Sequence, residues 1–396
     1  MRPKVPSGVL FFIRMGVVER EIEYMAEALD LALTASGRTS PNPLVGAVVV
    51  REGRVVGRGF HPRAGEPHAE IFALREAGQL AHGATMHVSL EPCCHWGRTG
   101  PCTEAIIDAG IACVVVATED PDRRVNGAGI RVLREQGIEV IVGVLREQAE
   151  ALNVAYFKHR RAGLPLVTLK WAISLDGKIA SRPGTRTSLT ADAAQRYGHE
   201  LRNVHDAILV GINTILVDDS QLTCRIEGGR DPLRVILDSR LRLPLDARVL
   251  NLSSPAQTLV ITTTAAAQEK LEAIRATGAD ILVFDGARPP VRWVLEKLAR
   301  RGLLSVLVEG GATVHASFIN AGLADRVVVF VASRIIGNQL APSAVAGESA
   351  GTDGVKVGLE QCTVRQLGED VVIEGALVYS TQRKVVTPTP AGGGHL

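Results

Sequence analysis

Segments with helical and strand periodicity alternate along this chain, and the alternation breaks and restarts once, near Ala162-Gly163-Leu164-Pro165. Few folds accept such a pattern. Strands separated by helices pack as a sheet between helical layers, and a restart implies a second sheet with its own core. Before the break, Tyr24–Ala32 reads as helix, Leu44–Val50 and Arg54–Gly59 as strands around the Glu52-Gly53 turn, and His68–Glu76 as helix. Strand, helix, strand, helix and strand follow at Ala84–Ser89, Thr103–Ala109, Ala112–Ala117, Ile130–Gln136 and Glu139–Val144. After the break, strands are expected at Leu166–Ala172, Ala207–Val210, Leu233–Leu237, Thr258–Thr262, Ile281–Phe284, Ser305–Val308, Arg326–Val331 and Val371–Tyr379. Helices are expected at Asp192–Arg202, Ala266–Thr277 and Val291–Arg301. The pattern predicts a three-layer α/β/α domain over residues 21–162 and a second α/β domain over 163–384. Residues 1–20 read as a loose N-terminal extension, and 385–396, poor in apolar residues, as a disordered tail.

The length of 396 residues suits two domains. Lys and Arg number 44 against 42 Asp and Glu, a net charge of +2, and aromatics make up 4%. Neither bulk electrostatic attraction to a polyanion nor a stacking platform for single strands is available, which argues against nucleic acid as a partner. No window approaches the ~18 apolar residues of a membrane span, and residues 1–16 lack the long apolar core and cleavage site of a secretory signal. A soluble enzyme or binding protein for a small molecule remains. Three of its six cysteines, Cys93, Cys94 and Cys102, fall within ten positions, while Cys113, Cys224 and Cys362 are scattered. In a long chain a cluster of this kind points to metal or catalysis rather than to a disulfide framework, and to a reducing, cytoplasmic location.

His68-Ala69-Glu70 opens a predicted helix, Glu91-Pro92-Cys93 follows a strand, and Pro101-Cys102 starts the next helix. One imidazole and two thiolates give zinc three protein ligands and leave a fourth position for water. Helix N-termini favour thiolate over thiol, which assists metal capture. Glu70, two residues beyond His68, lies where a carboxylate can take a proton from that water and hand it to a leaving amine. The order H-x-E followed by P-C and a second cysteine is that of the zinc nucleobase deaminases, here with eight residues between Cys93 and Cys102. Cys94 and His95 are rival ligands, and a purely structural zinc site is the plainer alternative.

Pro41-Asn42-Pro43-Leu44-Val45-Gly46, His68-Ala69-Glu70 and the run from Glu91 through Cys94-His95-Trp96-Gly97-Arg98-Thr99-Gly100-Pro101 to Cys102 resemble the bifunctional pyrimidine deaminase/reductase family of riboflavin biosynthesis. The second half carries the resemblance independently: Lys170-Trp171-Ala172-Ile173-Ser174-Leu175-Asp176-Gly177-Lys178, Asp206–Gly211 with Thr214 and Asp218-Asp219, Leu222-Thr223-Cys224-Arg225, Arg234–Asp238 and Val308-Glu309-Gly310-Gly311. The likeness covers roughly residues 21–384.

It implies a cytidine-deaminase-like N-terminal domain and a dihydrofolate-reductase-like C-terminal one. The implied chemistry is hydrolysis of the 2-amino group of 2,5-diamino-6-ribosylamino-4(3H)-pyrimidinone 5′-phosphate, then reduction of the ribosyl chain to ribityl with NADPH. One zinc per chain would fall to His68, Cys93 and Cys102, with Glu70 as proton shuttle and Asn42 holding the pyrimidine. Cofactor contacts would be Ala172, Ser188, Thr214, Asp218, Ser239 and the segment Gly311, Ala312, Thr313, Val314, His315, Ala316 and Ser317. Substrate contacts in the reductase would be Arg186, Arg202, Leu222, Arg225 and Glu309. Gly310-Gly311, between a strand and a helix, offers backbone donors and a helix dipole to a cofactor phosphate. A homo-oligomer is expected. The sequence departs from the family where Ser-x-Trp-Ile-Thr is usual and Arg186-Thr187-Ser188-Leu189-Thr190 stands, and where Asp219-Ser220 replaces Asp-Pro. An active deaminase with a ligand-binding but weakly reducing C-terminal domain is the alternative these departures leave open.

Overall fold

The computed structural model describes residues 7–96, 100–347 and 356–380. In the first half, α1 (Ser7–Leu33), β1 (Gly46–Arg51), β2 (Arg54–Phe60), α2 (Ala69–Ala77) and β3 (Thr85–Val88) come first. They are followed by α3 (Cys102–Asp108), β4 (Cys113–Val116), α4 (Ala128–Glu135), β5 (Glu139–Val142), α5 (Arg146–Leu152) and α6 (Val154–Ala162). The second half runs β6 (Leu166–Ile173), α7 (Asp192–Val204), β7 (Ala207–Gly211), α8 (Ile212–Asp218), β8 (Leu233–Leu237), β9 (Thr258–Thr263) and α9 (Gln268–Ala276). It closes with β10 (Asp280–Phe284), α10 (Val291–Arg300), β11 (Ser305–Gly310), α11 (Ala312–Asn320), β12 (Arg326–Val331), β13 (Lys356–Leu367) and β14 (Asp370–Ser380).

The first sheet has the order β2-β1-β3-β4-β5, antiparallel at β1–β2 and β1–β3 and parallel from β3 to β5. Its alternation sorts side chains onto two faces. Val48, Val50 and Val115 pack with Met25, Ala28 and Leu29 of α1 and Ala149 of α5. Ala47, Val49, Met86, Val88 and Val114 pack with Ala69 and Ala73 of α2, Ile106 of α3 and Leu133 of α4. These are the three layers expected. Helix α1 differs from expectation at its start. It begins at Ser7, inside the stretch read as a loose extension.

Two compact units divide the chain, Met1–Val167 with Gln195–Leu307 and Thr168–Ala194 with Val308–Leu396. The expected boundary at 162/163 coincides with the end of α6, where Gly163 takes a left-handed conformation. Compactness nevertheless groups Gln195–Leu307 with the first sheet. Leu304 packs with Leu90, Tyr156 and Phe157, and the ring of His159 lies 3.3 Å from the carbonyl of Ala299. Within this unit β10-β9-β8-β7 form a parallel run over a core of Ile208, Ile236, Val260 and Ile274. In the other unit β12 pairs in parallel with β6, Arg326 opposite Thr168 through Val331 opposite Ile173, and antiparallel with β14. The outermost strand, β13, pairs antiparallel with β14. The tail expected over 385–396 lies outside the described residues.

Candidate active site

Three donor atoms converge at one end of the first sheet. Gly59 of β2 lets α2 lie directly on the strand, since a Cβ there would stand 2.1 Å from the carbonyl oxygen of Ala69. That approach places His68, the residue before α2, against the sheet. Cys93 sits in the loop after β3, and Cys102 is the first residue of α3, where Pro101 breaks the preceding chain. The Nδ1 of His68 lies 3.2 Å from the Cys102 Sγ and 3.5 Å from the Cys93 Sγ. The Cys102 amide donates to the Cys93 sulfur at 3.3 Å. All three donor atoms lie within 4.8 Å of one another. Among the described residues this is the cluster suited to a metal, and neither Cys94 nor His95 belongs to it.

The three groups share protons among themselves. A hydrogen bond from Cys102 holds the Cys93 thiol down to about 4, and the same bond, with burial, drives Cys102 upward. The hydrogen bond to Cys93 raises His68 to about 9. The pair thus shares one thiolate, balanced by an imidazolium. A zinc ion requires both thiolates and neutral imidazole, so its binding displaces protons from this cluster. One nitrogen and two sulfurs with an open fourth position suit zinc. Glu70, 3% exposed, has a buried Oε2 with no hydrogen-bond partner, and burial raises its carboxyl above the usual range. A carboxylate oxygen left orphaned beside an imidazole and two sulfurs is matched to a water or substrate proton.

The cluster opens into a cavity of about 370 Å³. Asn42, predicted to hold the substrate, lines it, and its Nδ2 lies 3.0 Å from the Nε2 of His61. The Nδ1 of His61 faces the carbonyl oxygen of Pro67 at 3.0 Å. A carbonyl can only accept, so Nδ1 carries the proton, Nε2 accepts from Asn42, and the amide oxygen is what Asn42 offers the cavity. Burial lowers the His61 pKa, which keeps the ring neutral.

Sequence reasoning passed over the side of the lining formed by Asp120, Asp122, Arg124, Tyr156 and Arg160. Asp120 accepts from the Tyr156 hydroxyl at 3.0 Å and from the Asp122 amide at 2.8 Å, and burial raises its carboxyl to about 6. Asp122 is held down to about 2 by Arg124, which grips both its oxygens, with Arg160 3.5 Å away. The available signal was Asp120-Pro121-Asp122 just past the end of β4, because ligands of α/β sheets gather at the carboxyl ends of parallel strands.

The predicted reductase residues fall in both units. In the first, Arg202 donates to the carbonyl of Thr223 at 2.9 Å and Arg225 donates to the ring of His199 at 3.2 Å. Helix α7 thereby holds the turn carrying Leu222 and Arg225. Thr214 and Asp218 lie on α8, and the Ser239 carbonyl, just past β8, accepts from Thr263 at 2.8 Å. In the second unit, Ala172 lies on β6, and Glu309 pairs with Lys170 at 3.6 Å. Gly311 precedes α11 at a φ of 88°, so the backbone donors of Ala312 and Thr313 open a nine-residue helix whose N-terminus suits a cofactor phosphate. Further along, His315 is buried between the carbonyls of Ala344 and Val308, with Val314 and Ala316 also buried, and the Ser317 hydroxyl donates to Thr313. Arg186 and Ser188, at the departure from the family pattern, are exposed in the loop before α7, with the Ser188 carbonyl accepting from Arg334 at 3.3 Å.

Residues 18–118 match the cytidine and deoxycytidylate deaminase zinc-binding region, and residues 165–373 match the RibD C-terminal domain. The riboflavin biosynthesis protein RibD of Aquifex aeolicus is 44% identical over 362 residues, covering 89% of this chain and 98% of its own. The solved RibD of Acinetobacter baumannii aligns with a TM-score of 0.83 at 36% identity, covering 92% of this chain and all of the other. The Thermotoga maritima diaminohydroxyphosphoribosylaminopyrimidine deaminase/5-amino-6-(5-phosphoribosylamino)uracil reductase gives 0.78 at 36% identity, over 91% and 99%.

Proposed function

The chain belongs to the RibD family, the bifunctional deaminase/reductases of riboflavin biosynthesis, and we propose that residues 21–162 carry the deamination and 163–384 the reduction. The first reaction is the hydrolytic removal of the 2-amino group of 2,5-diamino-6-ribosylamino-4(3H)-pyrimidinone 5′-phosphate. The second reduces the ribosyl side chain to give 5-amino-6-ribitylamino-uracil 5′-phosphate. The observation that carries the deaminase assignment is the orphaned Oε2 of Glu70 beside three converging metal donors at a cavity.

His68, Cys93 and Cys102 would hold zinc, which when bound supplies Lewis-acid activation of water, lowering its pKa to about 7. Glu70 accepts the proton of the attacking water and delivers it to the departing amino group, a role that its raised pKa and closed environment suit. The amide oxygen of Asn42 receives a pyrimidine N–H, and the fixed His61 ring keeps it turned that way.

In the reductase, NADPH when bound would supply the hydride that reduces the sugar chain. The N-terminus of α11 from Gly311 to Ser317, with Ala172, Ser188, Thr214, Asp218 and Ser239, would hold the cofactor. Arg186, Arg202, Leu222, Arg225 and Glu309 would hold the substrate.

Self-association is part of this reading. It is supported by β13, a twelve-residue outermost strand on which Leu359 and Val364 are 40% and 65% exposed, the kind of edge that a second chain can cover. A cytoplasmic location is supported by six free thiols. No helix among the described residues is long and apolar enough to cross a membrane.

The deciding experiment measures zinc content, ammonia release and NADPH oxidation on one preparation. One zinc per chain with both activities is expected. Ammonia release undiminished after complete zinc removal would overturn the deaminase mechanism.

A further inference from the structure

We infer that Glu91 is the positioning residue of the metal site: its carboxylate hangs the Cys93 loop and the Asp120 wall of the cavity on the N-terminus of α4. The inference rests on the reading of His68, Cys93 and Cys102 as zinc ligands. Glu91 is 4% exposed, an unusual place for a carboxylate without a cationic partner. It is satisfied by backbone alone. Oε1 accepts from the amides of Gly129 and Ile130 at 2.9 and 3.2 Å. Oε2 accepts from the amides of Gly127 and Asp120 at 2.9 and 3.1 Å. Three of these four donors belong to the opening of α4, where backbone N–H groups and the helix dipole both favour negative charge. The fourth is the residue whose carboxylate faces the cavity.

From Glu91 to Cys93 the chain has little freedom. The Glu91 amide donates to the Thr118 carbonyl at 3.0 Å, and Pro92 fixes its own φ. Helix α4 also presses on Pro92 directly, since a Cβ at Gly129 would stand 2.1 Å from the Pro92 carbonyl oxygen. The Cys93 carbonyl then accepts from Thr103 at 3.2 Å, tying the loop to α3, which carries Cys102. Cys93 is therefore suspended between two helices, with Glu91 as one anchor. Outer residues that orient metal ligands typically contribute 10–100-fold in affinity.

Glu91→Gln keeps the size and one acceptor oxygen but turns an NH₂ toward two backbone donors. The test is a zinc competition titration of the full chain against a chromophoric chelator, beside the apo-protein melting temperature. The same titration is run on Glu91→Asp, which keeps the charge but retreats by one methylene, and on the surface control Glu269→Gln of α9. A 10–100-fold rise in zinc Kd is expected for Glu91→Gln, with a smaller rise for Glu91→Asp and none for the control. A merely structural role would lower the apo melting temperature and leave the Kd of the folded protein unchanged, so a Kd within twofold of wild type overturns the inference. Should Glu91→Gln not fold, the Kd of Glu91→Asp decides by the same criterion. A wild-type chain that binds no zinc would instead sink the metal-site reading itself.

Discussion

The amide nitrogen of Asn42 and the Nε2 of His61 are hydrogen-bonded at 3.0 Å, and the Pro67 carbonyl on the far side of the ring fixes which of them donates. Asn42 thus presents an acceptor to the cavity because of a residue nineteen positions away. His61→Leu removes that constraint and leaves every metal donor in place, replacing the ring that stands edge-on to His68 at 5.4 Å with an apolar side chain. The deaminase KM should rise about 3–10-fold, the value of one hydrogen bond of ~1 kcal/mol, with zinc content unchanged. Steady-state kinetics alongside metal analysis checks it, and an unchanged KM would mean that Asn42 is oriented by something else.

Glu70→Gln separates proton transfer from metal binding. The variant should keep a full equivalent of zinc while ammonia release falls ~10²–10⁴-fold, the usual contribution of a general acid–base group. Cys102→Ser should do the reverse and lose the zinc itself. A full equivalent retained in Cys102→Ser would show that Cys94 or His95 can take over as ligand.

The metal cluster was legible in the sequence because its chemistry demands particular residue types in a particular order, with His68 and Glu70 at the opening of one helix, Cys93 in the loop after a strand and Cys102 at the start of another helix. The central strands were legible because β1 and β7 to β9 are apolar and flanked by turns. Other parts carried little signal. Strand β13 is exposed along most of its length, so its polar and apolar residues do not alternate against a core. Helix α8 is seven residues long and follows β7 without a turn, so Ile212 and Ile215 span too few residues to show a helical period. The roles of His61 and Glu91 depend on backbone partners, Pro67 and the amides of Gly127, Gly129 and Ile130, which no residue pattern announces.

Asp120 should make stability fall as pH rises through the mildly acidic range. Burial lifts its carboxyl from an ordinary 3.8 to about 6, so the folded chain holds this proton more tightly than the unfolded chain does. Between pH 4 and 6 the native state binds more protons, and unfolding becomes progressively easier until the group is ionised in both states. Asp120→Asn removes that term while keeping an acceptor for Tyr156. Relative to wild type it should gain about 1–3 kcal/mol between pH 4 and pH 7. Urea midpoints at the two pH values measure the difference. A constant offset between the proteins would mean that Asp120 titrates normally.

The reductase substrate is a ribose phosphate, and its sugar carbon must be brought within near-attack distance of the hydride donor. Phosphate is the natural handle, and the planar fork of Arg can make paired, charge-assisted hydrogen bonds to its oxygens. Arg202 and Arg225 are joined through one local framework. Arg202 of α7 donates to Thr223, and Arg225 donates to His199, which lies three residues before Arg202 on the same helix. Anything that binds the 222–225 turn therefore meets both side chains on a braced support. Arg225→Ala should raise the reductase KM at least tenfold, equivalent to about 1.4 kcal/mol, and Arg225→Lys should recover only part of it. Arg202→Ala should raise KM as well, and should also lower stability because the Thr223 carbonyl loses its donor. Ammonia release and zinc content should not change in any of the three, since the metal donors and Glu70 are untouched. If KM stays within twofold in both alanine variants, the phosphate is held elsewhere, and Arg186, exposed in the loop before α7 where the family resemblance implies Ser, is the next residue to replace.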